Sequence, residues 1–171
     1  MYGDWLMNKT IYVIRHGKAE PFGLVNSDFD RTLAPRGAAE AKKAGAELLR
    51  RHVKPQLMMA SPAPRALYTL RLIASAMKLD PEQIVTDAAI YEGSLSDLLN
   101  LVRAFPDSVD TAMFCGHNPG VTELVGALYN GFCRGMGTAE VVSLTLKTEH
   151  WRDAGMVEAI LNEQIKSDQR A

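Results

Sequence analysis

Cysteine is almost missing from this sequence: Cys115 and Cys133 are the only two in 171 residues, and they do not form a CxxC pair. That usage suits a reducing compartment better than a disulfide-bonded one. An excess of charge of one sign is missing as well, since the formal net charge is −1. Nucleic acid and anionic membranes are therefore not expected as bulk partners, and any anion site must be local. No apolar run approaches membrane-spanning length, and the opening Met-Tyr-Gly-Asp-Trp-Leu-Met-Asn-Lys has no apolar core of a secretory signal. The expected location is the cytoplasm. Internal repeats and low-complexity linkers are absent, and residues before Lys9 fit no pattern, with Met7 an alternative start. The expectation is a single domain over 9–162, with 1–8 and 163–171 as flexible tails.

What is present is ordinary for a folded domain, with 47% hydrophobic and 23% charged residues. Ile11 to Ile14 is a short apolar run rich in β-branched residues, read as a strand buried on both faces. It stops at Arg15-His16-Gly17. Gly23 to Arg36 is polar and aperiodic, hence a loop. From Ala38 the period changes, with Ala41, Ala44, Gly45 and Leu48 on one helical face and a helix end before Pro55. Gln56 to Ala60 is a second buried strand, broken by Ser61-Pro62-Ala63-Pro64-Arg65, whose prolines suit a helix start. Leu67, Leu70, Ala74 and Met77 line that helix.

Ile84 to Tyr91 reads as a weak strand ending in the Glu92-Gly93 turn. Ser94 and Asp97 resemble a capping box before the stripe Leu95, Leu98, Leu99, Val102. Thr111 to Cys115 is another buried strand, broken by Gly116-His117-Asn118-Pro119, where Asn118 is a good N-cap and Pro119 a good first helical residue. The alternation predicts an α/β fold, a three-layer α/β/α sandwich with a mainly parallel central sheet. Its strands lie near 10–15, 56–60, 84–90, 111–115, 140–146 and 156–161, the last ones antiparallel at an edge.

Three strand ends thus carry similar punctuation, and parallel strands deliver all three to one sheet edge. Two arginines, two histidines and the N–H groups of helix N-termini would converge there. Guanidinium forks and helix N-termini match a tetrahedral dianion, so phosphate is the expected ligand. A histidine among arginines is kept neutral by like charge and retains a lone pair for attack on phosphorus. A metal site built from His16, His117, Asp28, Asp30 and Glu92 competes on paper, but HxH and HExxH spacings are absent and two arginines would repel a cation. His52 and His150 read as surface residues.

Arg15-His16-Gly17, the Ser61-Pro62-x-x-Arg65-Ala66 run with Thr69, and the late Gly116-His117-Asn118-Pro119 resemble the histidine phosphatase superfamily of phosphoglycerate mutases and acid phosphatases. The loop Asp30-Arg31-Thr32-Leu33-Ala34-Pro35-Arg36-Gly37 and the short chain are most similar to its SixA-type phosphohistidine phosphatases. The resemblance implies that His16 becomes phosphorylated, that Arg15 and Arg65 hold the phosphoryl oxygens, and that His117 donates a hydrogen bond to them. Gly17 and Asn118 would complete the phosphate site, and Glu92 is the candidate acid or base. No metal and no cofactor are implied. The implied substrate is a phosphorylated protein, including a phosphohistidine-bearing signalling or phosphotransfer domain, with inorganic phosphate as product. A small phosphate ester and a silent phosphoprotein-binding domain are the alternatives. Lys18, Ala19 and Glu20 replace the Asn or Thr contacts of mutase-like members, which argues against mutase chemistry.

Overall fold

A computed structural model describes residues 7–166. Its elements in order are β1 (Lys9–Arg15), α1 (Pro35–Arg50), β2 (Leu57–Ala60), α2 (Pro64–Ala76), β3 (Val85–Thr86), α3 (Ala89–Glu92), α4 (Leu95–Arg103), β4 (Thr111–Gly116), α5 (Gly120–Leu128), β5 (Val141–Leu146) and β6 (Ala159–Ile165). One six-stranded sheet runs β3-β2-β4-β1-β5-β6. Its β3-β2, β2-β4 and β4-β1 pairs are parallel, while β5 is antiparallel to both β1 and β6. The fold is the expected mixed α/β arrangement.

Successive residues of β1 bury on opposite faces because strand side chains alternate. Ile11 and Val13 join Leu98, Val102, Val121, Leu124 and Trp151 under α4 and α5. Tyr12 and Ile14 join Ala41, Ala44, Leu48, Leu70 and Ile73 under α1 and α2. A strand sandwiched this way must be predominantly apolar, which is why Ile11 to Ile14 carries no charged residue. Trp151, in a short 3₁₀ turn, is fully buried and donates from Nε1 to the Val109 carbonyl at 2.6 Å, so its one polar atom is satisfied.

The capping box at the start of α4 forms as expected. Ser94 Oγ accepts from the Asp97 N–H at 3.3 Å, and Asp97 Oδ2 accepts from the Ser94 N–H at 2.7 Å.

Four expectations need correction. The stretch 84–90 is mostly not strand: only Val85–Thr86 pairs, both residues are exposed at the sheet edge, and the chain turns at Asp87 into α3. Among the described residues no strand lies beside Ala88 to Tyr91, and helical turn bonds such as Glu92 N–H to the Ala88 carbonyl satisfy the backbone instead. The last strand spans Ala159–Ile165, so Glu163 to Ile165, read as tail, pair with β5. The first helix begins at Pro35, within the stretch read as loop. Asn118 is not an N-cap, since α5 starts at Gly120 and Pro119 occupies the cap position after a cis peptide bond. Of the expected tails 1–8 and 163–171, residues 1–6 and 167–171 lie outside the described residues. Among the described residues no helix is long and apolar enough to cross a membrane.

Candidate active site

β1 and β4 pair in parallel with Arg15 opposite Gly116, so the residues that follow them, His16 and His117, emerge side by side. Their rings lie 5.1 Å apart between centroids. β2 pairs with the other side of β4, Ala60 opposite Cys115, and this brings Ser61 and the start of α2 to the same edge. The three strand ends therefore meet, as the order of the elements predicts.

His16 Nδ1 lies 2.7 Å from the Gly17 carbonyl, an acceptor only. The proton must then sit on Nδ1, and Nε2 carries the lone pair. His16 is pushed down to about 4, first by burial and then by the charges of Arg65, Arg15 and Arg31, against an opposing pull from Gly17. Like charge alone was the expected cause of neutrality; burial is the larger one.

His117 is pushed down to about 3, again by burial first, then by His16 and Arg65. Its Nε2 lies 2.8 Å from Ser61 Oγ, which itself accepts from the Ala63 N–H at 3.2 Å. A fully buried hydroxyl that already accepts from one donor is best satisfied by donating to an imidazole nitrogen, which leaves the His117 proton on Nδ1. That Nδ1 is buried and has no hydrogen-bond partner among the described residues.

Arg15 sends Nη1 to the Met136 carbonyl at 2.9 Å, and its buried Nε has no hydrogen-bond partner among the described residues. Arg65, buried in the first turn of α2, donates from Nη1 to the Asp28 carbonyl at 2.7 Å and from Nη2 to Asp28 Oδ2 at 2.8 Å. Its aromatic neighbour is Tyr91, whose ring centroid is 5.8 Å from the guanidinium carbon. The same ring meets His117 edge-on at 5.4 Å and Phe29 at 5.0 Å, and its hydroxyl donates to Asp28 Oδ2 at 3.0 Å.

A cavity of about 290 Å³ is lined by Arg15, His16, Lys18, Ala19, Asp28, Arg31, Arg65, His117, Asn118 and Thr138. A larger hollow of about 520 Å³ between α1 and β6 contains none of these residues. Of the expected site residues, Arg15, His16, Arg65, His117 and Asn118 come together. Asn118 Nδ2 donates to the Met136 carbonyl at 3.0 Å, and Oδ1 accepts from Thr122 at 2.7 Å.

Gly17 and Glu92 do not take the parts expected of them. The Gly17 N–H is spent on Thr69 Oγ1 at 2.9 Å, and a Cβ at Gly17 would stand 2.6 Å from the Gly37 carbonyl oxygen. Gly17 therefore serves close backbone approach, not anion binding. Glu92 is exposed, does not line the cavity, and ends α3 with its neighbour Tyr91 turned inward in its place. The proposed metal set is not gathered either: Asp30 is exposed and bonds Ser27, and among the described residues no three His, Cys, Asp or Glu side chains cluster as metal ligands would. His52 is exposed, and His150 pairs with Asp107 at 2.7 Å away from the cavity.

Tyr91 was hidden from sequence reasoning because 84–90 reads as strand. Arg31 and Asp28 sit in an aperiodic loop whose folding back is a long-range event. A small signal did exist, since Asp28 and Arg31 lie three residues apart and pair at 3.0 Å.

The family whose model matches residues 11–115 is described as the histidine phosphatase superfamily, branch 1; His117 lies two positions beyond the match. No protein with a curated description matches the chain. Among solved structures, the protein histidine phosphatase SixA complexed with tungstate is similar with a TM-score of 0.79 at 24% identity, covering 92% of this chain and 97% of that one. A SixA protein from Agrobacterium tumefaciens gives 0.77 at 24% identity, with 92% and 97% covered. A mycobacterial glucosyl-3-phosphoglycerate phosphatase gives 0.64 at 15% identity, with 91% and 97% covered. At these identities the likenesses establish the fold.

Proposed function

The chain belongs to the histidine phosphatase superfamily, and from that membership we propose a metal-independent phosphohydrolase that works through a phosphohistidine on His16 and acts on phosphohistidine or another phosphoprotein. The observation that carries the reading is the His16 tautomer. With Nδ1 committed to the Gly17 carbonyl, Nε2 is an uncharged nucleophile in a cavity lined by Arg15, Arg31 and Arg65.

In the first half-reaction Nε2 bonds to phosphorus while the bond to the leaving group breaks and its electron pair departs with that group. Arg15 and Arg65 hold the phosphoryl oxygens, and the His117 Nδ1–H donates to one of them. This positions and neutralises the oxygens, which is most of what phosphoryl transfer asks of a protein. The SixA protein of similar fold holds tungstate, itself a tetrahedral oxyanion, in accord with an anion site of this kind.

Two features favour a phosphoprotein over a sugar phosphate. Asp28, the one carboxylate among the described lining residues, is held below the ordinary carboxylate range: desolvation pushes it up, but hydrogen bonds from Arg31 and Tyr91 and the charge of Arg65 outweigh that. An ionised carboxylate cannot protonate an alkoxide, whereas an imidazole leaving group is readily protonated without help. The loop beside Arg31 also exposes Phe22 and Leu24 at 72% and 68%, an apolar rim suited to a protein surface.

The test is trapping with a phosphohistidine protein, phosphoramidate and p-nitrophenyl phosphate side by side. The expected result is acid-labile, base-stable label on His16 and turnover fastest on the phosphohistidine protein. Turnover by His16→Ala at the wild-type rate would remove the nucleophile. An ester preference would point to the small-molecule reading, and binding with no turnover to a silent phosphoprotein-binding domain.

A further inference from the structure

A phosphorylated His16 must be released by water, and water attacking phosphorus has to lose a proton. Asp28 is the only carboxylate among the described residues lining the cavity. Its two oxygens are unequal. Oδ2 accepts from Arg65 Nη2 at 2.8 Å and from the Tyr91 hydroxyl at 3.0 Å, whereas Oδ1 accepts, among the described residues, from Arg31 Nη1 alone at 3.0 Å. Oδ1 therefore retains acceptor capacity that Oδ2 has spent.

A carboxylate present only to anchor Arg65 would be expected to share its burial. The Arg65 side chain is 6% exposed and that of Asp28 39%, so the carboxylate stays in reach of water while its partner does not. Charge decides between acid and base. Arg15, Lys18, Arg31 and Arg65 line the cavity against one carboxylate, and a bound phosphoryl dianion still leaves positive charge in excess. Asp28 thus stays ionised with the phosphoryl group in place, and an ionised carboxylate accepts protons.

We propose that Asp28 is the general base of the dephosphorylation half-reaction, a role that rests on the phosphohistidine reading above. The oxygen of water bonds to phosphorus as the P–Nε2 bond breaks and its electron pair returns to His16. One water proton passes to Oδ1 of Asp28, the other stays on the departing hydrogen phosphate, and Asp28 then releases its proton to solvent. Tyr91 is a positioning residue: it touches no reacting atom, but it fixes Oδ2 and packs against His117.

The experiment follows the decay of label on His16 after loading from radiolabelled phosphoramidate, in wild type, Asp28→Asn and Asp28→Ala. General bases typically contribute about 100-fold or more, so Asp28→Asn should slow decay on that order while loading slows far less. Label at steady state then rises, and formate should restore decay to Asp28→Ala at least about fivefold by supplying the missing base. Decay in Asp28→Asn within about twofold of wild type, far below the effect of a lost base, would overturn the proposal. So would equal slowing of both half-reactions without formate rescue, the pattern of a misplaced Arg65. Tighter phosphate binding with unchanged decay would overturn it as well, by making Asp28 a competitor for Arg65. A wild-type enzyme that turns over without label on His16 would instead remove the phosphohistidine reading itself.

Discussion

Ser61 Oγ stands 2.8 Å from Nε2 of His117, a contact between residues 56 positions apart that favours the His117 tautomer with its proton on Nδ1. Ser61→Ala removes it without adding volume. The expected outcome is a roughly tenfold loss of kcat, matching one buried hydrogen bond of about 1.4 kcal/mol, with a smaller change in KM. Steady-state kinetics beside a urea unfolding curve separates this from a loss of fold, and an unchanged kcat would show that the tautomer is set elsewhere.

The acid limb of kcat/KM should lie near pH 4, where His16 protonates, and not near the ordinary imidazole value of 6.5. The profile should therefore be flat from pH 7 to about 5 before it falls. Stability follows a different window. Both imidazoles are depressed in the folded state, so only the unfolded chain takes up their protons as pH drops below 6.5, and stability declines from there toward pH 4. Activity should outlast the onset of this decline, and an acid limb at pH 6 to 7 would contradict the burial of His16.

Gly37→Ala should damage the site more than the fold. A Cβ there would stand 2.1 Å from the Lys18 carbonyl oxygen, so the strand-end loop carrying His16 must move away from α1. The expected cost is about 1–3 kcal/mol by urea unfolding, typical of overpacking, together with a larger proportional loss of kcat. Unaltered kinetics would mean that the loop relocates without dragging His16.

Replacing Phe22 and Leu24 together by serine tests the apolar rim. KM for a phosphohistidine protein should rise about fivefold or more, the size of one modest interface hot spot, while phosphoramidate turnover stays level. An equal effect on both substrates would place the two residues in the phosphate site and not at a protein contact.

The outline of the fold was legible because its signals are local. Buried parallel strands are short apolar runs, and each ends where Arg15-His16, Ser61-Pro62 or Gly116-His117 interrupts them. Arg15, His16, Arg65 and His117 were found for the same reason. From sequence Asp28 reads only as a possible metal ligand and Tyr91 only as strand, because their places in the site come from contacts 37 and 63 residues apart in the chain. The misread segment shows the mechanism: Ile84 and Val85 have strand character, but β3 is the sheet edge among the described residues, and the backbone that follows it coils. That turns Tyr91 inward and leaves Glu92 in solvent, and the carboxylate that lines the cavity is Asp28, from a loop upstream.

The pairing of β1 with β4 also acts as a ruler. Adjacent strands are spaced about 4.8 Å by their hydrogen bonds, and the two imidazoles mounted on consecutive strand tips are 5.1 Å apart. The gap between the two rings is thus inherited from the hydrogen-bonded spacing of the two strands. Loops around the rim are free to lengthen, shorten or change chemistry for a new target while that gap holds.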